Sequence, residues 1–214
     1  MERFYRRRLP HWEIDGAWYF VTFRLYGSIP RAVFEQWQAE IDSKRKELIR
    51  RYKQLSPQTE RALTDEQTRK IERYLDSQMH VRYLERPTAA EAFICNLERG
   101  TGTLYCLGPW VIMPNHVHVI LAPKRDERRE PVSLARILQH LKGASAIEIN
   151  RALKRSGALW QREYFDRIIR SMTDFNRKAQ YIEHNPAKAG LCGSPEEWPW
   201  SSASRQLAGY ELLE

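Results

Sequence analysis

Cysteine is scarce in this chain, and the three present, Cys95, Cys106 and Cys192, are scattered and odd in number. With no CxxC spacing among them, neither a disulfide framework nor a cysteine-bound zinc is expected. Also missing is any apolar run near the ~18–20 residues that cross a bilayer, so no membrane span is expected. The N-terminal stretch MERFYRRRLPHW is basic but has no apolar segment behind it, which argues against a secretory signal. There is no internal repeat and no low-complexity tract. These absences point to a cytoplasmic globular protein. Its 214 residues suit a single domain with an appended piece, and 42% hydrophobic content is enough for a substantial core.

What the chain has in excess is positive charge. A formal net charge of +8 favours a polyanionic partner, because a basic field attracts phosphates and releases their counterions. Arg6, Arg7 and Arg8 stand beside Tyr5, His11 and Trp12. Cations interleaved with flat rings in this way suit phosphate contact combined with base stacking.

Periodicity divides the rest. Residues 17–25, AWYFVTFRL, read as a strand after the turn Asp15-Gly16. From Pro30 to about Asp76 the apolar positions fall at helical spacing, broken at Ser56-Pro57, with a second helix expected to start at Thr64. Residues 88–99 read as a helix ending at Gly100. Thr103 to Pro123 returns to strand, interrupted by Gly108-Pro109 and Pro114, as two strands or a bulged hairpin. Ser133 caps a helix, or a pair broken near Gly143; Trp160–Ile169 is extended; and Ser171 opens a last helix that carries FNRKAQYIEHN. The pattern predicts an α+β fold. Strict alternation along 111–121 would put Val111, Met113, Val117, Val119 and Leu121 on one face, with Ile112, His116, His118 and Ile120 on the other. Both faces are then largely apolar and need cover on each side of the sheet.

Within that strand, MPNHVHVI holds two histidines at i and i+2. They share a face roughly 6.5–7 Å apart along the chain, close enough to converge on one ion. Two histidines merely hydrogen-bonded at a strand end are the bland alternative, since two ligands alone bind metal weakly. On the last helix, Tyr181 and Asn185 are i and i+4, about 40° apart around the axis, and so point the same way. His184 lies near the same side, and helical geometry alone does not choose between it and Asn185 as a ligand. A zinc hydrolase would bring an HExxH or a similarly placed carboxylate, and neither is evident.

Four ordered blocks, VIMPNHVHVILAP, WQREYFDRIIR, YIEHNPAKAGL and WPWSSA, resemble the REP-associated tyrosine transposases. These form a single-tyrosine branch of the HUH (His-hydrophobic-His) endonucleases. The resemblance is strongest from about 103 to 203. It implies an antiparallel sheet of ferredoxin-like or RRM-like type with helices on both faces, all of 1–214 as one domain with a helical insertion at about 31–100. It also implies His116 and His118 as paired metal ligands, Asn185 as the third, Tyr181 as nucleophile, and Mg²⁺ or Mn²⁺ as cofactor. The partner it implies is single-stranded DNA, often a palindromic hairpin, cut through a covalent 5′-phosphotyrosine. Arg6, Arg7, Arg8 and Lys142 are the candidate DNA contacts, and the active unit is a monomer or a homodimer. The rival expectation is a module with an RRM-like sheet that binds single strands without cutting them.

Overall fold

In the computed structural model, residues 2–6 and 10–205 are described. The strands β1 (Glu2–Arg6) and β2 (Pro10–Ile14) pair as an antiparallel ribbon. The main sheet has four strands: β3 (Trp18–Arg24), β4 (Tyr105–Ile112), β5 (His116–Pro123) and β6 (Phe165–Ile169). Their spatial order is β4-β5-β3-β6, all antiparallel. Between β3 and β4 come α1 (Arg31–Tyr52), α2 (Pro57–Ser77) and α3 (Pro87–Gly100); α4 (Leu134–Ala152) joins β5 to β6, and α5 (Met172–Lys188) follows β6. Taking α3 and α4 as the two crossovers gives β-α-β-β-α-β, the ferredoxin-like arrangement. The pair α1 and α2 is extra to it.

The central strands are buried on both faces. Tyr19, Val21 and Phe23 of β3 and Val117, Val119 and Leu121 of β5 join Phe93, Leu97, Ile137, Leu138 and Trp160 in the larger core, under α3 and α4. Phe20 and Ile120 face the other way, against Phe175 and Ile182 of α5. Each such fully buried large side chain contributes roughly 1.5–3 kcal/mol. A smaller cluster, Ile29, Phe34, Ile71, Leu75 and Phe165, seats α1 and α2 against β6.

Two local expectations are corrected and one open alternative is decided. The second helix starts at Pro57, with Ser56 accepting a hydrogen bond from the Thr59 amide at 3.1 Å; proline at the first helical position needs no amide partner, and Thr64 instead bonds back to the Glu60 carbonyl. Helix α4 runs unbroken through Gly143. Strand parity does not carry across 111–121: Val111 is opposite His118 and Ile112 opposite Val117, so Val111 and Met113 lie on the histidine face and Ile112 on the other. The reason is the reversal at Pro114-Asn115, which folds the stretch into a hairpin and resets the alternation.

That hairpin is bulged between Leu107 and Trp110. A side chain at Gly108 would meet Ile120 Cγ2 at 3.0 Å, and Pro109 has no amide to donate, which together account for the lost register. The WPWSSA segment runs along β4: the Ile112 amide donates to the Trp200 carbonyl (2.8 Å), the Ser202 amide to the Trp110 carbonyl (2.9 Å), and Trp198 Nε1 to the Ile112 carbonyl (2.9 Å). An otherwise open sheet edge is thereby covered. Among the described residues, no helix is long and apolar enough to cross a membrane.

Candidate functional site

The two histidines are presented by β5 beneath α5 and beside the C-terminal end of α2. His116 and His118 are both fully buried, with their Nε2 atoms 3.0 Å apart. Both outer nitrogens are engaged. His118 Nδ1 meets the Thr22 hydroxyl of β3 at 2.7 Å, and His116 Nδ1 meets Asn115 Oδ1 at 2.6 Å. Asn115 donates its Nδ2 hydrogens to the Leu75 and Gln78 carbonyls (3.0 and 3.1 Å). Its Oδ1 can only accept, so His116 carries its proton on Nδ1 and keeps a lone pair on Nε2. Burial depresses the His116 pKa to about 3 and lowers that of His118 as well, so both rings are neutral near pH 7.

Two imidazole nitrogens at this separation need a proton or a cation between them. A carboxylate stands ready: Asp76, on the last turn of α2, places Oδ1 3.5 Å from His116 Nε2. Ligand atoms of Asp76, His116 and His118 lie within 4.8 Å of one another. Asp76 Oδ1 is buried without a hydrogen-bond partner, and burial raises the Asp76 pKa to about 6, partly offset by Asn185, Lys188 and Tyr181. An unpaired carboxylate oxygen facing two neutral imidazoles is a donor set suited to a divalent cation.

The opposite wall is α5, opened by Ser171, whose hydroxyl accepts from the Asp174 amide at 3.1 Å. The helix continues through Pro186 to Lys188 and ends on Gly190 at φ +70°, with the Leu191 amide bonded back to the Pro186 carbonyl. Tyr181 and Asn185 both face the sheet. The Tyr181 ring centroid is 5.3 Å from that of His118 and 5.9 Å from that of Phe20, each edge-on. Asn185 is buried and its amide is near enough to lower the pKa of both Asp76 and Tyr181, although Nδ2 completes no hydrogen bond of good geometry. His184 turns outward, with Nδ1 at 2.9 Å from the Gln180 carbonyl, and is exposed.

Charge surrounds the phenol. Lys178 Nζ is 4.5 Å from the Phe20 centroid and 5.7 Å from that of Tyr181, and Lys188 Nζ also lies 5.7 Å from the Tyr181 ring. Burial raises the Tyr181 pKa, and Glu72 and Asp76 raise it further. Glu72, one helical turn before Asp76, is pushed by burial up to about 7 and has an unpartnered Oε1.

The structure thus brings together His116, His118, Tyr181 and Asn185. Lys142 is elsewhere, with its ammonium donating to the Gln161 and Arg162 carbonyls at 2.7 and 2.9 Å. Arg6 falls in β1, while Arg7 and Arg8 lie outside the described residues. Asp76 corrects the expectation that no carboxylate stands near the histidines. It sits at no diagnostic spacing in the sequence and is one of 27 acidic residues, so only the packing of α2 against the hairpin reveals it.

Comparison with known proteins agrees with this geometry. Residues 104–185 match the family described as Transposase IS200 like, a segment that holds both histidines, Tyr181 and Asn185. Over about a hundred residues the chain is 26% identical to a Haemophilus influenzae protein assigned to the REP-associated tyrosine transposases and 24% identical to the REP-associated tyrosine transposase of Escherichia coli. Over this segment the chain is similar to the REP-associated tyrosine transposases. These alignments take in 45% and 48% of this chain and only 57% and 56% of the relatives' lengths. A solved REP-associated tyrosine transposase bound to a REP hairpin shares the fold, with a TM-score of 0.50 over 98% of this chain and 90% of that one, at 17% identity. Asp76 lies outside the matched segment, on the α1–α2 pair.

Proposed function

We propose that the protein is a strand transferase acting on single-stranded DNA, using Tyr181 as nucleophile beside a divalent metal site made by His116, His118 and Asp76, with Asn185 at its edge. The observation that carries this reading is the packing of the Tyr181 ring against His118, 5.3 Å between centroids, with the half-buried carboxylates of Asp76 and Glu72 beside the phenol. A bound Mg²⁺ or Mn²⁺ would supply the positive charge that makes a scissile phosphate electrophilic.

The chain's own groups do the rest. The Tyr181 oxygen forms a bond to phosphorus as the bond from phosphorus to the 3′ oxygen breaks, which leaves a 5′-phosphotyrosine and a free 3′-hydroxyl. The phenolic proton is handed off on the way to that hydroxyl. Glu72, held near neutrality, has the affinity suited to carry it. Lys178 and Lys188 hold positive charge next to the ring, favouring a phenolate over a phenol and attracting the phosphate. Because the ester retains the energy of the phosphodiester, a 3′-hydroxyl from another strand can reverse the step and join ends without ATP. The substrate we propose is a hairpin-forming single strand, by analogy with the solved relative bound to a REP hairpin.

The test is to incubate the protein with labelled single-stranded hairpins from the flanks of its own gene, with Mn²⁺ or Mg²⁺, and run denaturing gels. Wild type gives a covalent protein–DNA adduct. Tyr181→Phe binds the same DNA and gives none. An adduct that persists in Tyr181→Phe refutes the nucleophile, and binding without any adduct from wild type favours a module that holds DNA without cutting it.

A further inference from the structure

Arg24 lies two residues beyond Thr22 on β3, on the face that carries the histidines, and its cross-strand partner is His116. It is only 3% exposed. Among the described residues no carboxylate forms an ion pair with it: Nε has no hydrogen-bond partner, and Nη1 reaches only the Ser28 hydroxyl, at the long distance of 3.5 Å. The guanidinium instead rests over the Phe34 ring, 5.4 Å from its centroid. Burial lowers its pKa to about 10, which still leaves it charged at neutral pH. A buried cation with nothing to neutralise it is strongly destabilising, and a bound anion would supply the missing counter-charge.

The space for such a ligand adjoins it. Arg24 lines a cavity of about 400 Å³ together with Tyr26, Ile29, Phe34 and Gln161. Arg31 and Glu35 also line it, but they are exposed and hold each other at 2.6 Å, so Glu35 is already paired. Tyr26 is 61% exposed, which leaves its ring accessible at the edge of the cavity. We infer that this cavity receives one nucleotide unit of a single strand, its phosphodiester paired with the Arg24 fork and its sugar and base against Tyr26.

A base edge could accept hydrogen bonds from the fork but would leave the buried charge standing. A phosphate provides both acceptors and the opposite charge, in the bidentate geometry that guanidinium fits best. Stacking on Tyr26 tolerates any base. The register sets the Arg24 backbone opposite His116, so a strand that spans both places would have one linkage held here while Tyr181 acts on another. The inference rests on the strand-transfer reading for its ligand, but it concerns binding and can fail separately from the chemistry.

The experiment measures affinity for dT15, dC15 and dA15 against salt concentration, using wild type, Arg24→Met and Arg24→Lys. Each phosphate neutralised on a single strand contributes about 0.7 to the slope of log affinity against log salt. Arg24→Met is expected to lower the slope by about 0.7 and weaken all three oligonucleotides by the same factor, whereas Arg24→Lys keeps the slope. Without DNA, Arg24→Met melts at or above the wild-type temperature, because an unpaired buried charge has gone. An unchanged slope, a loss confined to one base, or a lower melting temperature for Arg24→Met overturns the inference. If the slope is unchanged while the Tyr181 adduct still forms, strand transfer stands and the phosphate pocket falls; if wild type binds no single strand, both fall.

Discussion

Asp76→Asn should act in opposite directions on the metal-free and metal-loaded protein. The side chains are nearly isosteric, so packing of α2 is retained. Burial raises the Asp76 pKa from 3.8 to about 6. At about 1.36 kcal/mol for each pH unit, the charged carboxylate makes the metal-free fold about 3 kcal/mol less stable than it would otherwise be. The sign is that of a carboxyl raised in the folded state: the penalty is absent below pH ~4, grows as the group ionises, and is complete above pH ~6. Asp76→Asn removes it, and in a chain of this length about 3 kcal/mol corresponds to a rise in melting temperature of roughly 6–12 °C. Manganese has the reverse effect. At a hundred times its dissociation constant it stabilises wild type by about 2.7 kcal/mol, roughly 5–11 °C, and much less when the anionic ligand has become a neutral amide. Thermal melts at pH 4 and pH 7.5, each with MnCl₂ and with EDTA, read all four corners. The reasoning is refuted if Asp76→Asn at pH 7.5 in EDTA melts no higher than wild type while its response to manganese is undiminished.

Two further outcomes follow from neighbouring groups. Thr22→Val removes the hydroxyl that holds His118 Nδ1 and should weaken Mn²⁺ binding by about 10–100-fold in calorimetry with little loss of fold, as expected when the support of a ligand is removed; an unchanged affinity would mean that the ring is held by packing alone. Buried His116 and His118 refuse protons that the unfolded chain takes up below pH ~6.5, so they destabilise the fold on acidification, whereas Asp76 and Glu72, raised to about 6 and about 7, do the reverse. The combined variant Glu72→Gln with Asp76→Asn leaves the histidines unopposed. Between pH 6 and 4.5 its stability, followed by urea unfolding, should fall about 2 kcal/mol per pH unit more steeply than that of wild type, and parallel curves would count against the opposition.

The parts of the site that repeat within a short span were readable from sequence. His-Val-His on a strand and Tyr181 with Asn185 at helical spacing each follow from local periodicity, and the α+β class follows from the alternation of elements, whereas the ferredoxin-like order came from the family resemblance. Asp76 was not readable, because its position depends on where the end of α2 docks, and nothing in TDEQTRKIERYLDSQ distinguishes one acid from the next. The choice between Asn185 and His184 likewise needed the sheet to be present, since it is the sheet that buries one and leaves the other in solvent. Arg24 reads as an ordinary end-of-strand arginine until the missing carboxylate is noticed, and a missing partner leaves no trace in a sequence. The parity of β4 failed for a related reason: alternation is a property of one continuous strand, and a tight reversal restarts it.

Asn115 connects these observations. One face of its amide is tied to the Leu75 and Gln78 carbonyls and the other to His116, so the imidazole's proton is assigned by a helix that precedes it by some forty residues. The α1–α2 pair is therefore wired to the candidate centre at two points, through this amide and through Asp76. If the end of α2 lifts away, the centre loses its carboxylate and, in the same motion, the constraint that keeps His116 Nε2 unprotonated. Assembly of the site is thus all-or-none with respect to α2, and a shortened protein in which α1 and α2 are replaced by a brief linker would retain its sheet, its tyrosine and both histidines yet have no defined centre.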